Sequence, residues 1–200
     1  NYLLNRYKIS RKRFILMTAH RRENVEVVQN LKNIFDLCDM YDEKIIFAAS
    51  YRTQKNIKKF KIKIPNNVLI IDPIGYIDFL TLLDNSFLTL TDSGTVVEEA
   101  CIIQVPSVQI RESTERPEVY TWKSSVKFDP RNNKNSYLNK VYNKSIKLTN
   151  MKWKHNFGDG SSSKKIALDI IEKVKNDNLN IRNKLVNNFM KKNYMNDLIN

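Results

Sequence analysis

The sequence predicts an α/β fold built on a doubly wound parallel sheet. Its short apolar runs are continuous rather than alternating, which is typical of strands that are covered on both faces. Segments with helical spacing of apolar residues separate these runs. Strands and helices that alternate in series indicate a parallel sheet with right-handed crossovers. The chain has 200 residues, 42% of them hydrophobic, which is enough for one such domain with a smaller addition.

Five apolar runs are predicted as strands and four intervening segments as helices. The predicted strands cover residues 14–18, 44–49, 68–72, 87–91 and 105–110. The predicted helices cover residues 25–40, 53–60, 76–84 and 94–103. In the first helix Leu31, Phe35 and Cys38 lie on one face, as a helix packed on a sheet requires. This first domain is predicted to span residues 1–158.

The C-terminal part of the chain has a different character. Residues 130–145 are polar, and we predict a loop there with a short helix at 137–142. Ile166, Ile170 and Val174 are spaced as on one face of a helix, which predicts a helix over 161–174. After Lys175, scattered apolar residues in an Asn-rich background predict either a loosely docked helix or a partly ordered tail. Residues 159–200 are therefore predicted as a separate C-terminal helix and tail.

Composition excludes several classes of protein. Lys and Arg number 34 against 21 Asp and Glu, but the excess is spread along the chain, so we predict no nucleic-acid partner. No apolar run is long enough to span a membrane. Cys38 and Cys101 stand inside apolar helical patterns and predict buried free thiols in a reducing, cytoplasmic compartment. His20 and His155 are the only histidines, so we predict no metal site.

Neither a signal peptide nor an initiating Met begins the sequence. The chain opens at Asn1, and no basic stretch followed by an apolar one comes after it. We therefore expect a fragment or a processed product.

Polar residues collect directly after three of the predicted strands. Residues 20–24 (His-Arg-Arg-Glu-Asn) follow the first strand, residues 92–94 (Asp-Ser-Gly) follow the fourth, and Arg111 with residues 114–118 follows the fifth. In open parallel sheets, ligands bind beyond the carboxyl ends of the strands where the strand order reverses. If the order is the common 3-2-1-4-5, His20 and Ser93 lie side by side at that point.

The turn at Ser93, Gly94 and Thr95 is suited to an anion. A glycine lets the backbone approach closely, and the first amides of the next helix are unpaired and positively polarised. Arg111 or Arg116 can add a bidentate donor.

Each of these assignments has a structural alternative. Ser93 can serve only as a helix N-cap, and Glu98 and Glu99 only as complements of the helix dipole rather than as ligands of sugar hydroxyls. Arg52 and Thr53 either bind a ligand or simply begin a helix. An isolated histidine at a strand end is structural in many proteins, and the polar neighbours of His20 favour function.

Five motifs in register carry a resemblance to a known family. They are TAHRREN at 18–24, PIGYIDFLTLL at 73–83, TDSGTVVEEA at 91–100, VPSVQIRESTERPE at 105–118 and FGDGSSSKKI at 157–166. Together they resemble the C-terminal domain of the non-hydrolysing UDP-N-acetylglucosamine 2-epimerases from about residue 10 to 172. The resemblance implies a Rossmann-like domain that forms half of an architecture similar to two-domain glycosyltransferases. It also implies inversion at C2 of a UDP-sugar without any cofactor, by elimination and re-addition of UDP.

The resemblance implies a role for each matching residue. His20 resembles the family histidine near the diphosphate and is the catalytic candidate, as a hydrogen-bond donor or acid, and Arg21, next in the same motif, is a candidate for binding UDP. The residues that resemble the family's UDP-contacting set are Ser93, Gly94 and Thr95 at the phosphate turn, Glu99 on the ribose, Arg116 near the diphosphate and Ile74 near uracil. Further candidates are Glu98, Arg52, Arg111 and Glu115. The implied partners are a UDP-sugar, an N-terminal domain that this chain does not contain, and a second copy in a full-length homodimer.

The chain also departs from the family pattern. The family's acid and base carboxylates belong to the N-terminal domain, so we expect the isolated chain to be inactive. Residues 50–53 (Ser-Tyr-Arg-Thr) stand where many members carry a His-Pro pair, and Thr95 stands where the main branch has a second glycine. The Arg52-Thr53 pair and Thr95 are similar to the branch that acts on UDP-2-acetamido-2,6-dideoxy-hexoses.

Two alternative functions remain open at this point. One is a UDP-sugar-dependent glycosyltransferase of similar fold, which would use the same diphosphate turn. The other is a degenerate remnant of a split gene.

Overall fold

Strands and helices alternate along the chain in the computed structural model, which describes residues 2–175. The strands are β1 (Phe14–Thr18), β2 (Lys44–Ala48), β3 (Val68–Ile71), β4 (Leu88–Thr91), β5 (Ser107–Ile110) and β6 (Ser125–Phe128). The helices are α1 (Tyr2–Tyr7), α2 (Arg22–Val25), α3 (Val28–Cys38), α4 (Tyr51–Lys59), α5 (Tyr76–Asn85), α6 (Gly94–Ile102), α7 (Glu118–Thr121), α8 (Asn135–Leu148) and α9 (Ser162–Lys175).

The strands form one parallel sheet in the order β3-β2-β1-β4-β5-β6. Strand β1 pairs with β2 through Phe14 and Lys44, and with β4 through Thr18 and Thr91. The strand order therefore reverses between β1 and β4. This topology confirms the predicted doubly wound sheet and adds β6 at its edge.

Two apolar cores cover the two faces of the sheet. Ile15 and Met17 belong to the core on one face, while Phe14 and Leu16 belong to the core on the other. Successive side chains of a strand point to opposite faces, so a central strand with helices on both sides must be apolar at every position. This requirement explains the continuous apolar runs in the sequence.

Several elements differ from the sequence prediction. Strand β6 is short and contains Ser125 and Lys127, as an edge strand can, so it lacks a strong apolar pattern. The predicted helix over 25–40 is divided because Val27 is extended, with φ −100° and ψ 114°. Helix α8 is longer than the predicted segment over 137–142. The sequence pattern was too weak to predict its full length, because few large apolar residues stand among many Asn and Lys. Helices α1 and α7 are short and were not predicted.

The chain divides into two compact units, Asn1–Phe157 and Gly158–Asn200. The sheet belongs to the first unit. In the second unit, none of the residues of helix α9 is buried. The roles predicted for residues 1–158 and 159–200 stay predictions, and the helix or tail predicted after Lys175 lies outside the described residues. Between residues 2 and 175, no helix is long and apolar enough to cross a membrane.

Candidate functional site

The loops that follow β1 and β4 meet at Asp92, the first residue after β4. Its carboxylate is fully buried, and Oδ2 accepts the backbone N–H of His20 at 2.9 Å and that of Arg21 at 2.8 Å. The side chain of Asn24 donates to the same oxygen at 3.1 Å and to the carbonyl of Ile110 at 3.0 Å. One carboxylate thus holds the ends of three neighbouring strands together at the point where the strand order reverses.

His20 faces this site with its ring partly exposed. Its Nδ1 lies 3.1 Å from Oδ1 of Asp92, and 48% of its side chain is accessible to solvent. The ring also lines a cavity of about 190 Å³ together with Ile74, Phe79 and the ends of β1 and β2. Ligand pockets commonly measure 300–1,000 Å³, so this cavity can take only part of a nucleotide sugar.

The turn before helix α6 combines an N-cap with open backbone amides. The Ser93 hydroxyl accepts the N–H of Val96 at 3.4 Å, so the N-cap interpretation of this residue holds. Gly94 is half-buried and Thr95 is exposed. The first N–H groups of a helix have no partner within it, and the helix dipole polarises them positively. The N-cap and an anion-binding turn are therefore compatible here.

Arg111 and Glu115 lie over this turn. A Cβ on Gly94 would lie 3.0 Å from Oε1 of Glu115 and 3.9 Å from Nη1 of Arg111. Nη1 of Arg111 lies 2.6 Å from Oε2 of Glu115, and Nη2 of Arg21 lies 3.9 Å from Oε1. A hydrogen bond from its own backbone, and then the charge of Arg111, lower the pKa of Glu115 below its ordinary value. An ionised carboxylate and two guanidinium groups thus surround the turn.

Arg116 takes a different position from Arg111. Its Nε donates to Glu98 on helix α6, and this hydrogen bond raises the pKa of Arg116. Glu99, one residue on, accepts a hydrogen bond of 3.0 Å from the hydroxyl of Tyr76, which raises the pKa of that tyrosine. Glu98 and Glu99 therefore link helix α6 to the loop after β5 and to the start of helix α5, and they do more than complement the helix dipole.

The candidates after β2 divide into one structural and one surface residue. The Thr53 side chain is fully buried, and its hydroxyl donates to the carbonyl of Ala19 at 2.8 Å. Arg52 forms an exposed ion pair with Glu26, at 3.5 Å. Thr53 thus anchors the start of helix α4 beside the His20 loop. Arg52 pairs with the carboxylate of Glu26, the residue that ends helix α2.

Two residues at this site carry contacts that sequence reasoning did not assign. Asp92 was visible as the first residue of the Asp-Ser-Gly motif, but only the fold shows that its side chain reaches His20 and Asn24. Tyr76 begins helix α5 within the motif at 73–83, and the contact of its side chain with Glu99 was not predicted. Among residues 2–175, no group of three or more His, Cys, Asp or Glu side chains could hold a metal ion.

These features define a class of protein. A doubly wound sheet with a helix N-terminus and arginines at its switch point is typical of α/β domains that bind nucleotides through their phosphates.

The comparisons with known proteins agree with this class. A family model described as UDP-N-acetylglucosamine 2-epimerase matches residues 2–172. The UDP-N-acetylglucosamine 2-epimerase of Methanocaldococcus jannaschii is 40% identical over 162 residues, which are 77% of this chain and 43% of that protein. The enzyme of the same name from Methanococcus maripaludis is 41% identical over 165 residues, with 78% and 43% covered.

Solved structures give the same result. The M. jannaschii enzyme in complex with UDP-GlcNAc and UDP matches with a TM-score of 0.73 and 34% identity, over 86% of this chain and 49% of that chain. The S. aureus MnaA–UDP structure matches with a TM-score of 0.71 and 26% identity, over 88% and 48%. This chain belongs to the UDP-N-acetylglucosamine 2-epimerase family and spans about half the length of these relatives.

Proposed function

We propose that this chain is the UDP-binding C-terminal domain of a UDP-N-acetylhexosamine 2-epimerase, an isomerase. The observation that carries the proposal is the junction of the His20 loop with the Ser93–Gly94 turn through Asp92, at the switch point of the sheet. The solved relatives that hold UDP support the same ligand class.

The contacts around helix α6 support an assignment for each part of UDP. The diphosphate lies against the backbone at Gly94 and Thr95, where the helix amides and Arg111 carry positive charge. Glu99 accepts the hydroxyls of the ribose, next to Tyr76. The uracil lies along the segment that begins at Ile74, which lines the same cavity as His20.

The proposed reaction inverts C2 of the sugar in two balanced steps. A base removes the C2 proton, the C1–oxygen bond breaks, and UDP leaves with the electron pair of that bond. UDP then adds back to C1 while a proton reaches C2 from the opposite face. The role of this chain is to stabilise the diphosphate as charge develops on it, an effect worth several kcal/mol in preorganised sites. His20 contributes to this stabilisation as a hydrogen-bond donor or acid.

The proton chemistry at C2 belongs to a second domain. The family resemblance assigns the acid and base carboxylates to the N-terminal domain, so we expect no epimerisation by this chain alone. Helix α9, with its apolar face at Ile166, Ile170 and Val174, packs towards that domain in this proposal. The complete enzyme is a cytoplasmic homodimer that serves surface polysaccharide synthesis. Its sugar is either an N-acetylglucosamine or a 6-deoxy relative.

Titration with UDP by isothermal calorimetry tests the proposal. We expect binding in the micromolar to millimolar range, because the diphosphate meets helix amides and guanidinium groups. Removing one charged hydrogen-bond partner costs about 1.5–3 kcal/mol, so Arg111→Ala should weaken binding by about tenfold or more. Arg116→Ala should weaken binding as well, because the family resemblance puts this arginine near the diphosphate once it leaves Glu98.

Arg6→Ala is the matched control. Arg6 lies in helix α1, and the next residue, Tyr7, accepts a hydrogen bond from Lys44 at the start of β2, so this arginine lies near the opposite end of the sheet. Its removal should leave UDP affinity unchanged. A wild-type chain that releases no binding heat with several millimolar UDP would contradict the proposal.

A further inference from the structure

Only one of the two carboxylate oxygens of Asp92 accepts hydrogen bonds from the loop. Oδ2 accepts three N–H groups, from His20, Arg21 and Asn24. Oδ1 has no hydrogen-bond partner among the described residues, although the residue is fully buried. A buried carboxylate oxygen without a donor is costly, because it has given up its hydrogen bonds to water. This oxygen therefore favours any nearby group that can present a proton to it.

The imidazole of His20 is that group. Its Nδ1 lies 3.1 Å from Oδ1 of Asp92, which is within hydrogen-bonding distance. A small rotation of the ring would align a proton on Nδ1 with this oxygen. A neutral imidazole carries its proton on one nitrogen, and the partner of each nitrogen decides which. A proton on Nδ1 satisfies the carboxylate, whereas a proton on Nε2 places two lone pairs against each other inside the protein.

We propose that Asp92 is a positioning residue that holds the proton of His20 on Nδ1 and leaves Nε2 for the bound ligand. Nε2 then accepts a proton when the ring is neutral and donates one to a phosphate oxygen when the ring is charged. This inference rests on the proposed function for the identity of the ligand, but the state of the ring itself is independent of it.

A purely structural role for Asp92 makes a different prediction. In that case its carboxylate only organises the loop, through Oδ2, and the position of the proton on the His20 ring does not depend on it. Asp92→Asn separates the two roles. The amide oxygen of the new side chain can keep the three loop contacts, so its NH2 group must replace Oδ1 and face the ring. A donor in that place requires a lone pair on Nδ1, which moves the proton of the ring to Nε2.

The test is long-range ¹H–¹⁵N NMR of the histidine rings in the 200-residue chain, at about pH 9 where an ordinary imidazole is neutral. The chain has two histidines, and the second is an internal reference. Nδ1 of His155 accepts the N–H of Phe157 at 3.4 Å, so its proton belongs on Nε2. A His155→Gln variant assigns the two sets of signals.

In the wild-type protein we expect His20 to carry its proton on Nδ1 and His155 to carry its proton on Nε2. In Asp92→Asn both rings should be protonated on Nε2. A wild-type His20 that carries its proton on Nε2, or an equal mixture of the two forms, overturns the proposal even if the variant does not fold. A folded variant in which the His20 proton stays on Nδ1 also overturns it. Because no ligand is present, these results are separate from the outcome of the UDP titration.

Discussion

Glu115 raises a question at the scale of single residues, because an acidic side chain lies over a turn suited to an anion. Its carboxylate contacts Arg111 at 2.6 Å and would lie 3.0 Å from a Cβ on Gly94. The lowered pKa of Glu115 means that it is charged at neutral pH. This carboxylate neutralises the arginine that a diphosphate would need.

We therefore expect Glu115→Gln to bind UDP more tightly than the wild-type chain. The variant removes the repulsion between the Glu115 carboxylate and a bound diphosphate. Two unit charges about 4 Å apart in water interact by about 1 kcal/mol, so the affinity for UDP should rise about fivefold. Calorimetric titration with UDP measures it, and the gain should shrink as salt is added. Glu43→Gln, just before β2, is the control and should leave the affinity unchanged. Weaker binding by Glu115→Gln would show that the carboxylate contacts the ligand directly.

At the scale of elements, helix α4 is attached to the loop that carries His20. The Thr53 hydroxyl donates to the carbonyl of Ala19 and lies 2.8 Å from the hydroxyl of Ser50, the N-cap of the helix. The start of the helix and the end of β1 are thereby joined by one buried side chain. The shape of the candidate site therefore depends on the stability of an element outside it.

Thr53→Val tests this attachment. Valine keeps the shape of threonine but leaves the carbonyl of Ala19 without its donor, which should lower the free energy of unfolding by about 1–3 kcal/mol. Urea denaturation measures the change. Thr81→Val is the matched control, since the Thr81 hydroxyl bonds only to Ile77 in its own, exposed helix turn, and should cost about 0.5 kcal/mol or less. Equal losses in the two variants would argue against the attachment.

At the scale of the whole molecule, the two cysteines report on the packing of helices α3 and α6 against the rest of the domain. Cys38 and Cys101 are free and buried. Burial raises the pKa of each thiol, which suppresses the reactive thiolate at neutral pH. Their chemistry is therefore controlled by the packing of helices α3 and α6.

Thiol labelling should follow global unfolding. We expect neither cysteine to react with a disulfide reagent at about pH 8 in the native chain, and both to react in concentrated urea. A Ser136→Cys variant, which places a thiol on an exposed position, should react at once without denaturant. Fast labelling of one native cysteine would show that its part of the core opens locally.

Periodicity and motif order were enough to predict much of this protein. The apolar runs around Phe14–Thr18 and the following strands predicted a parallel sheet, because buried central strands must be apolar on both faces. The motifs predicted the family and the loops after β1, β4 and β5. The edge strand β6 and the short helices were missed, since exposed and short elements carry weak patterns.

The tertiary structure alone decided which polar side chains meet. Residue patterns alone could not choose between Arg111 and Arg116 at the Gly94 turn, and the family resemblance favoured Arg116. Neither assigned a role to the side chain of Asp92. In the fold, Arg111 lies over the turn, Arg116 pairs with Glu98, and Asp92 reaches His20 across 72 residues of sequence. The physical reason is that secondary structure follows from local patterns along the chain. Contacts between loop side chains depend instead on strand order and register, which the sequence encodes only through the packing of the whole sheet.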